Sequence, residues 1–211
     1  MERQEERTES PAEIVPRTLV LVAGGAASGK SRLARELVRQ LPNAVLLDKD
    51  RLLGPWVDRS LLATGIGVDR DSPYYLNEVR PREYETIETI AFDHLQLGKV
   101  AVIDAPLAPE LRDPDWVARI RAECRTRGAG LVAVWVAVSP ETAHRRLQAR
   151  GEVRDRWKLE HWEEFLATRR PYDPPAHVSL VLENEDSESL PRSIAHLLEL
   201  IQPCGKSRKP T

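Results

Sequence analysis

The apolar positions of the chain change period several times, and two kinds of pattern alternate. Thr18–Ala23 (TLVLVA) is a continuous apolar run, as expected of a strand buried on both faces of a parallel sheet. Ser31–Gln40 turns to helical spacing, with Leu33 and Leu37 on one face and Ala34 and Leu41 beside them. Ala44–Leu47 predicts a second short strand. Arg82–Leu97 predicts a helix that turns Ile87, Ile90, Ala91 and Leu95 inward and stops at Gly98. Val100–Ile103 predicts a third strand, Pro114–Arg127 a helix capped by Asp113, and Leu131–Val138 the most apolar strand of all. Ser139-Pro140-Glu141 is a helix-start signal that Thr142–Arg150 continues. A charged helix is expected over Lys158–Arg170, ended by Pro171, then a fifth strand at Val178–Leu182 and a last helix at Leu190–Ile201.

Strands separated by helices predict an α/β fold, a doubly wound parallel five-stranded sheet flanked by helices. One domain over 17–202 is expected, with a helical lid at about 146–170. A disordered arm over 1–16 would precede it and a basic tail over 203–211 follow it. Gly54 to about Arg80 reads as one long irregular stretch, rich in Gly, Pro, Asp and Tyr. Its place after the second strand puts it on the edge where open α/β sheets bind substrates.

Composition narrows the classes. At 211 residues the chain holds one domain, or one with an inserted lid. Lys+Arg 31 against Asp+Glu 33 gives a net charge of −2, too little to gather a long nucleic acid or an anionic membrane. Cys124 and Cys204 have no metal-ligand spacing, and a reducing cytoplasm fits them. The longest apolar run, Leu131–Val138, is far shorter than the ~18 residues that a membrane span needs. The first residues lack the apolar stretch of a signal peptide. A cytoplasmic monomer or homodimer with no membrane partner is the expectation.

The chemistry starts at Gly24-Gly25-Ala26-Ala27-Ser28-Gly29-Lys30-Ser31, which fits G-x-x-x-x-G-K-[ST] between a strand and a helix. Backbone N–H groups of such a loop converge on phosphate oxygens, and the helix N-terminus adds its positive end. Lys30 would reach the β- and γ-phosphates of ATP, and the Ser31 hydroxyl would coordinate Mg²⁺. Gly205-Lys206-Ser207 in the tail echoes the loop, but Leu200 stands where its first glycine should be. Asp48 and Asp50 follow the second strand, where a carboxylate could take a hydroxyl proton or be an ordinary solvated turn. Asp104 ends the third strand after Val102-Ile103, the pattern of a Mg²⁺ or water ligand. Arg146 and Arg150 lie four apart on one helix face, able to clamp phosphates or simply to face water. Arg80 precedes a helix on the acceptor side. Trp56, Tyr74, Tyr75 and Tyr84 would line an acceptor pocket or pin the long loop. Arg154 belongs to the expected lid, and Asn184 follows the last strand, where an adenine would pass.

Together, G-x-x-x-x-G-K-S, Asp48-x-x-Arg51, Ile103-Asp104-Ala105-Pro106 and Arg146-x-x-x-Arg150-Gly151 resemble the small P-loop kinases related to the 5′-hydroxyl polynucleotide kinase domain. Zeta toxins, gluconate kinases and chloramphenicol phosphotransferase are more distant relatives. The resemblance covers about Thr18 to Leu182 and implies a P-loop NTPase fold and an ATP- and Mg²⁺-dependent kinase. It implies Asp48 as general base, Arg51 as acceptor clamp, and Arg146 and Arg150 as the lid pair that contacts ATP. Asp50 remains a second candidate base. The chain departs from the pattern at Arg32, where many relatives have Thr, and at Ala105-Pro106, beside the acceptor pocket. The implied acceptor is a hydroxyl of a small molecule or of a nucleic-acid 5′ end. The competing class is a nucleotide-binding regulatory ATPase that acts through a protein partner.

Overall fold

The fold is that of a computed structural model that describes residues 17–65, 67–186 and 190–201. The expected arm, the basic tail and Cys204 lie outside the described residues. Five strands form one sheet: β1 Thr18–Ala23, β2 Ala44–Asp48, β3 Val100–Asp104, β4 Gly130–Ala137 and β5 Leu180–Glu183. Their order is β2-β3-β1-β4-β5, and every pairing is parallel. β1 takes the centre because it is apolar on both faces and can be covered on both.

Alternation along β1 divides the core. Leu19 and Leu21 face a cluster with Ile87, Leu95, Ile103 and Ile120. These come from β3 and from α3 (Arg80–Gln96) and α5 (Pro114–Thr126). Val20 and Val22 face the other cluster, with Leu33, Leu37 and Leu197. There α1 (Lys30–Gln40) and α9 (Leu190–Ile201) cover the sheet. The parallel register sets Asp48 beside Asp104 and Val22 beside Asp104, so the carboxyl ends of β1, β2 and β3 form one edge.

Two expected segments differ. The Gly54–Arg80 stretch is largely helical: α2 spans Lys49–Ala63, and a π-helical turn at Tyr75–Val79 runs directly into α3. Gly54-Pro55 looks like a turn, and proline inside a helix removes a hydrogen bond. Packing overrides it, because Val57 and Leu61 on α2 are buried against Tyr75 and Val79. Asp48 caps α2 by accepting from the Arg51 backbone N–H at 3.1 Å. The expected lid helix is two pieces, α7 Arg156–Glu160 and α8 Trp162–Arg169, divided at His161, where φ is −122° and ψ 42°. β5 begins two residues later than the apolar pattern predicts.

Helix α6 (Pro140–Arg150), placed in the expected lid from residue 146, is anchored by buried Ala143 and Leu147 and capped by Ser139. The rest of the expected lid lies between two left-handed residues, Gly151 (φ 64°) and Arg170 (φ 44°). A short helix, α4 (Ala108–Arg112), follows β3, and its Arg112 donates to the backbone oxygens of Arg170 at 2.6 Å and Asp173 at 2.9 Å. That ties the far end of the lid to the sheet edge.

Leu37 is fully buried between α1 and the sheet. Leu37→Ala is therefore expected to cost about 2–5 kcal/mol in urea unfolding. A change below about 1 kcal/mol would contradict the packing described.

Candidate functional site

Gly24 to Gly29 join β1 to α1, and Lys30 is the first residue of that helix. Three left-handed or related backbones make the turn: Gly24 (φ 149°), Ala27 (φ 59°) and Gly29 (φ 91°). At Gly29 a Cβ would also stand 2.1 Å from Asn184 Nδ2, which donates to the Ser28 carbonyl at 2.6 Å. At Gly25 a Cβ would meet the Tyr172 ring at 2.4 Å, and the Tyr172 hydroxyl donates to the Ala26 carbonyl. Loop, β5 end and lid exit are thus packed together without room for side chains. The result leaves the first N–H groups of α1 facing the loop, an anion site ready for phosphate.

Lys30 Nζ folds back on the Gly25 carbonyl at 3.3 Å. Burial lowers its pKa, while Asp104 and Asp50 oppose that shift. Asp104 is buried, and neither carboxylate oxygen makes a hydrogen bond. Burial pushes its pKa up, against the pull of Lys30 and of the nearby Ser31 hydroxyl. An orphaned carboxylate beside that hydroxyl and a lysine fits a Mg²⁺ held by Ser31 and Asp104 and completed by phosphate and water. No cluster of three or more His, Cys, Asp or Glu among the described residues forms a protein-only metal cage.

Beyond the loop lies a cavity of about 230 Å³. Gly24, Gly25, Ala26 and Lys30 line one end, with Arg150 and Arg154 close by. Asp50 lines it too, and three cations hold it: Lys49 Nζ at 3.1 Å, Arg70 Nη1 at 3.1 Å and Arg154 Nη1 at 2.6 Å. Burial would raise the Asp50 pKa, but Lys49, Arg154, Arg70 and Lys30 outweigh it and hold the carboxyl well below the usual range. Lys49 is itself buried, 2.9 Å from Glu83, whose second oxygen accepts from the Tyr75 hydroxyl at 2.7 Å. Burial disfavours the Lys49 ammonium, and the oxygens of Tyr84, Asp50, Tyr75 and Glu83 outweigh it, so its pKa lies above the ordinary lysine value.

Several residues stand apart from their expected roles. Asp48 caps α2 and meets Arg35 at 3.5 Å, and it does not line the cavity. It is the last residue of β2, so its side chain is taken by the helix start, whereas Asp50, in the first helical turn, reaches the cavity. Arg51 is exposed and off the cavity. Arg80 lines it, bound to both oxygens of Glu110 at 2.5 and 2.9 Å and placed over the Tyr84 ring at 4.2 Å. Arg146 is not paired with Arg150. It donates to the carbonyls of Ala27, Asn184 and Glu185, tying the outer side of the phosphate loop to the β5 end. Arg150 lines the cavity and is bound to Asp155. Beside the phosphate loop the arginines lining the cavity are Arg150, at the end of α6, and Arg154 just after it. Lys49, Arg70, Asp71 and Lys158 also line the cavity; Asp69-Arg70-Asp71 reads from sequence as a solvated turn rather than a metal site, Lys49 hides between two aspartates, and Lys158 carries no motif.

The sheet order, the loop and its helix define a P-loop NTPase with a kinase-like fold. The model of the AAA_33 family, an AAA domain, matches residues 19–172, and the chain belongs to that family. Its fold is similar to that of APE1195, at 23% identity over 89% of this chain and 96% of that one, with a TM-score of 0.58. It is also similar to the Mycobacterium tuberculosis APS kinase CysC in complex with AMPPNP and APS (17% identity, 88% and 97% covered, TM-score 0.56). A gluconokinase from Sinorhizobium meliloti 1021 shares the fold at 15% identity (89% and 94% covered, TM-score 0.56). No curated protein matches the sequence. Among the described residues no helix is long and apolar enough to cross a membrane.

Gly29→Ala is expected to weaken Mg²⁺·AMPPNP binding about tenfold or more in calorimetry, through strain at φ 91° and collision with Asn184. Unchanged affinity would contradict the packing of the loop.

Proposed function

We propose that this protein is a kinase that transfers the γ-phosphoryl group of ATP to a hydroxyl of a small molecule. The observation that carries the reading is one cavity in which the phosphate loop, Lys30 and the lid arginines meet a single acceptor-side carboxylate pair, Asp50 and Asp71. A cavity of about 230 Å³ lies below the ~300–1,000 Å³ usual for drug-sized ligands, so it suits a small acceptor. A nucleic-acid end could enter only by its last group.

Phosphoryl transfer leaves the protein positioning and charge stabilisation as its main work. Lys30, Arg150 and Arg154 face the transferring group and offset charge that develops on its oxygens. Bound at Ser31 and Asp104, Mg²⁺ would neutralise charge on the nucleotide phosphates. Asp50 accepts a hydrogen bond from the acceptor hydroxyl and points its oxygen along the line of attack. A carboxylate held so far below its usual pKa is a weak proton acceptor, so orientation precedes proton uptake. The proton passes to Asp50 only as the new O–P bond forms and the oxygen becomes strongly acidic. Closure of the lid over this end keeps water from taking the phosphoryl group.

The test is transfer from γ-labelled ATP with Mg²⁺ across sugar acids, nucleosides, 5′-hydroxyl oligonucleotides, nucleotide sugars and hydroxylated antibiotics. Label is expected on a small hydroxyl compound, reduced by at least ~10²-fold in Lys30→Ala. Slow hydrolysis with no acceptor labelled would favour a regulatory ATPase instead.

A further inference from the structure

The same cavity carries information on what the acceptor looks like. Eight basic side chains line it against three acidic ones, Asp50, Asp71 and Asp155. Lys30, Arg150 and Arg154 belong with the phosphate loop. The other five, Lys49, Arg70, Arg80, Lys158 and Arg169, exceed what a nucleotide needs.

The carboxylates that stabilise several of these cations stand outside the cavity lining. Arg70 is paired with Asp58 at 2.8 Å, Lys49 with Glu83 and Arg80 with Glu110. Those acids hold the bases from outside, and Asp50 meets Lys49 and Arg70 from the cavity side. Lys158 reaches from the lid to Asp71 at 2.6 Å, so its one ion-pair partner among the described residues is a wall carboxylate of the cavity itself. Arg169, the last residue of α8, lines the cavity and has no carboxylate within ion-pair distance among the described residues. A cleft whose lining is dominated by one sign, with low-dielectric walls such as Leu76, Tyr84 and Phe165, focuses field on its contents.

We infer that the acceptor carries, besides the reacting hydroxyl, an anionic group that Lys158 and Arg169 hold as the lid closes. This inference rests on the proposed function. It specifies a small hydroxylated acid or phosphate ester, and it separates the chain from kinases of amino sugars or neutral sugars. Asp71 holds Lys158 when no acceptor is bound, and the incoming anion takes over that ammonium. Two lid cations drawn onto the acceptor's anionic group, Lys158 away from Asp71 and Arg169 with no ion pair to give up among the described residues, would make closure depend on the correct substrate.

The test uses the full chain saturated with Mg²⁺·AMPPNP, so that the phosphate loop is filled. Sodium sulfate is titrated against chloride at constant ionic strength and followed by the lid tryptophan fluorescence. Saturable binding is expected, weakened at least fivefold in Lys158→Gln and in Arg169→Gln and retained in Lys158→Arg. Normal AMPPNP binding with no saturable response to sulfate, or with a response indifferent to both substitutions, overturns the inference. In the transfer assay, sugar acids and sugar phosphates should exceed their neutral and amino-sugar counterparts by tenfold or more in kcat/KM. Preference for a neutral or cationic acceptor overturns the inference and leaves the kinase reading standing. Sulfate binding that responds to both substitutions while nothing is phosphorylated overturns the kinase reading and the acceptor role together.

Discussion

Asp50 lies among Lys49, Arg70 and Arg154, and the three cations come from three parts of the chain: the start of α2, the segment before the π-helical turn, and the lid. That convergence links three segments around the cavity, because a carboxylate so surrounded cannot move without giving up an ion pair to each of them. Removing one partner of a buried pair costs about 3–5 kcal/mol, which applies most directly to Lys49 and Glu83, exposed by only 3% and 0%. The Asp50 carboxyl is 41% exposed, so its pairs are screened and suited to a lid that must open. Its pKa is held below the ordinary value. The pairing is therefore fully present above about pH 4 and is lost only as pH falls through the lowered value. Near neutral pH the latch does not titrate.

The segment proposed as a lid is bounded by left-handed residues at Gly151 and Arg170, and its two ends are held differently. Arg112 grips the exit through backbone carbonyls, and Tyr172 rests on the phosphate loop at Gly25. The middle is joined to the acceptor side mainly through the Arg154–Asp50 and Lys158–Asp71 ion pairs. Backbone hydrogen bonds secure the exit, while the middle combines those ion pairs with an apolar cluster of its own. Phe165 packs with Val138, Ala143 and Tyr172 in that cluster.

Where a segment's pattern and its packing agree, the sequence was enough. β1, β3, β4, α1 and α5 are legible because their apolar positions face one or both sides of a single sheet. The phosphate loop is legible because its backbone turns admit few residue types. α2 was hidden because Gly54-Pro55 reads as a break, and only burial of Val57 and Leu61 against Tyr75 and Val79 reveals the helix. The site residues that depended on α2 were hidden with it. Asp48 and Asp50 cannot be told apart by spacing, since a cap residue and a cavity residue differ by two positions around a helix start. Arg146 and Arg150 share a helix face, yet one reaches the β5 end and the other the cavity, because four residues advance a helix by about 6 Å. Arg70 and Lys158 meet their partners across long sequence separations, which no local pattern encodes.

Asp50 carries the central claim. The direct measurement compares transfer from Mg²⁺·ATP to the identified acceptor in Asp50→Asn and in Asp48→Asn, with AMPPNP affinity measured on both. Asparagine caps a helix about as well as aspartate, so Asp48→Asn keeps α2 in place. The account predicts a loss of ~10²-fold or more for Asp50→Asn at nearly unchanged nucleotide affinity, and transfer within a few-fold of the original for Asp48→Asn. The reverse order would return the acceptor carboxylate to Asp48 and contradict the arrangement of the cavity.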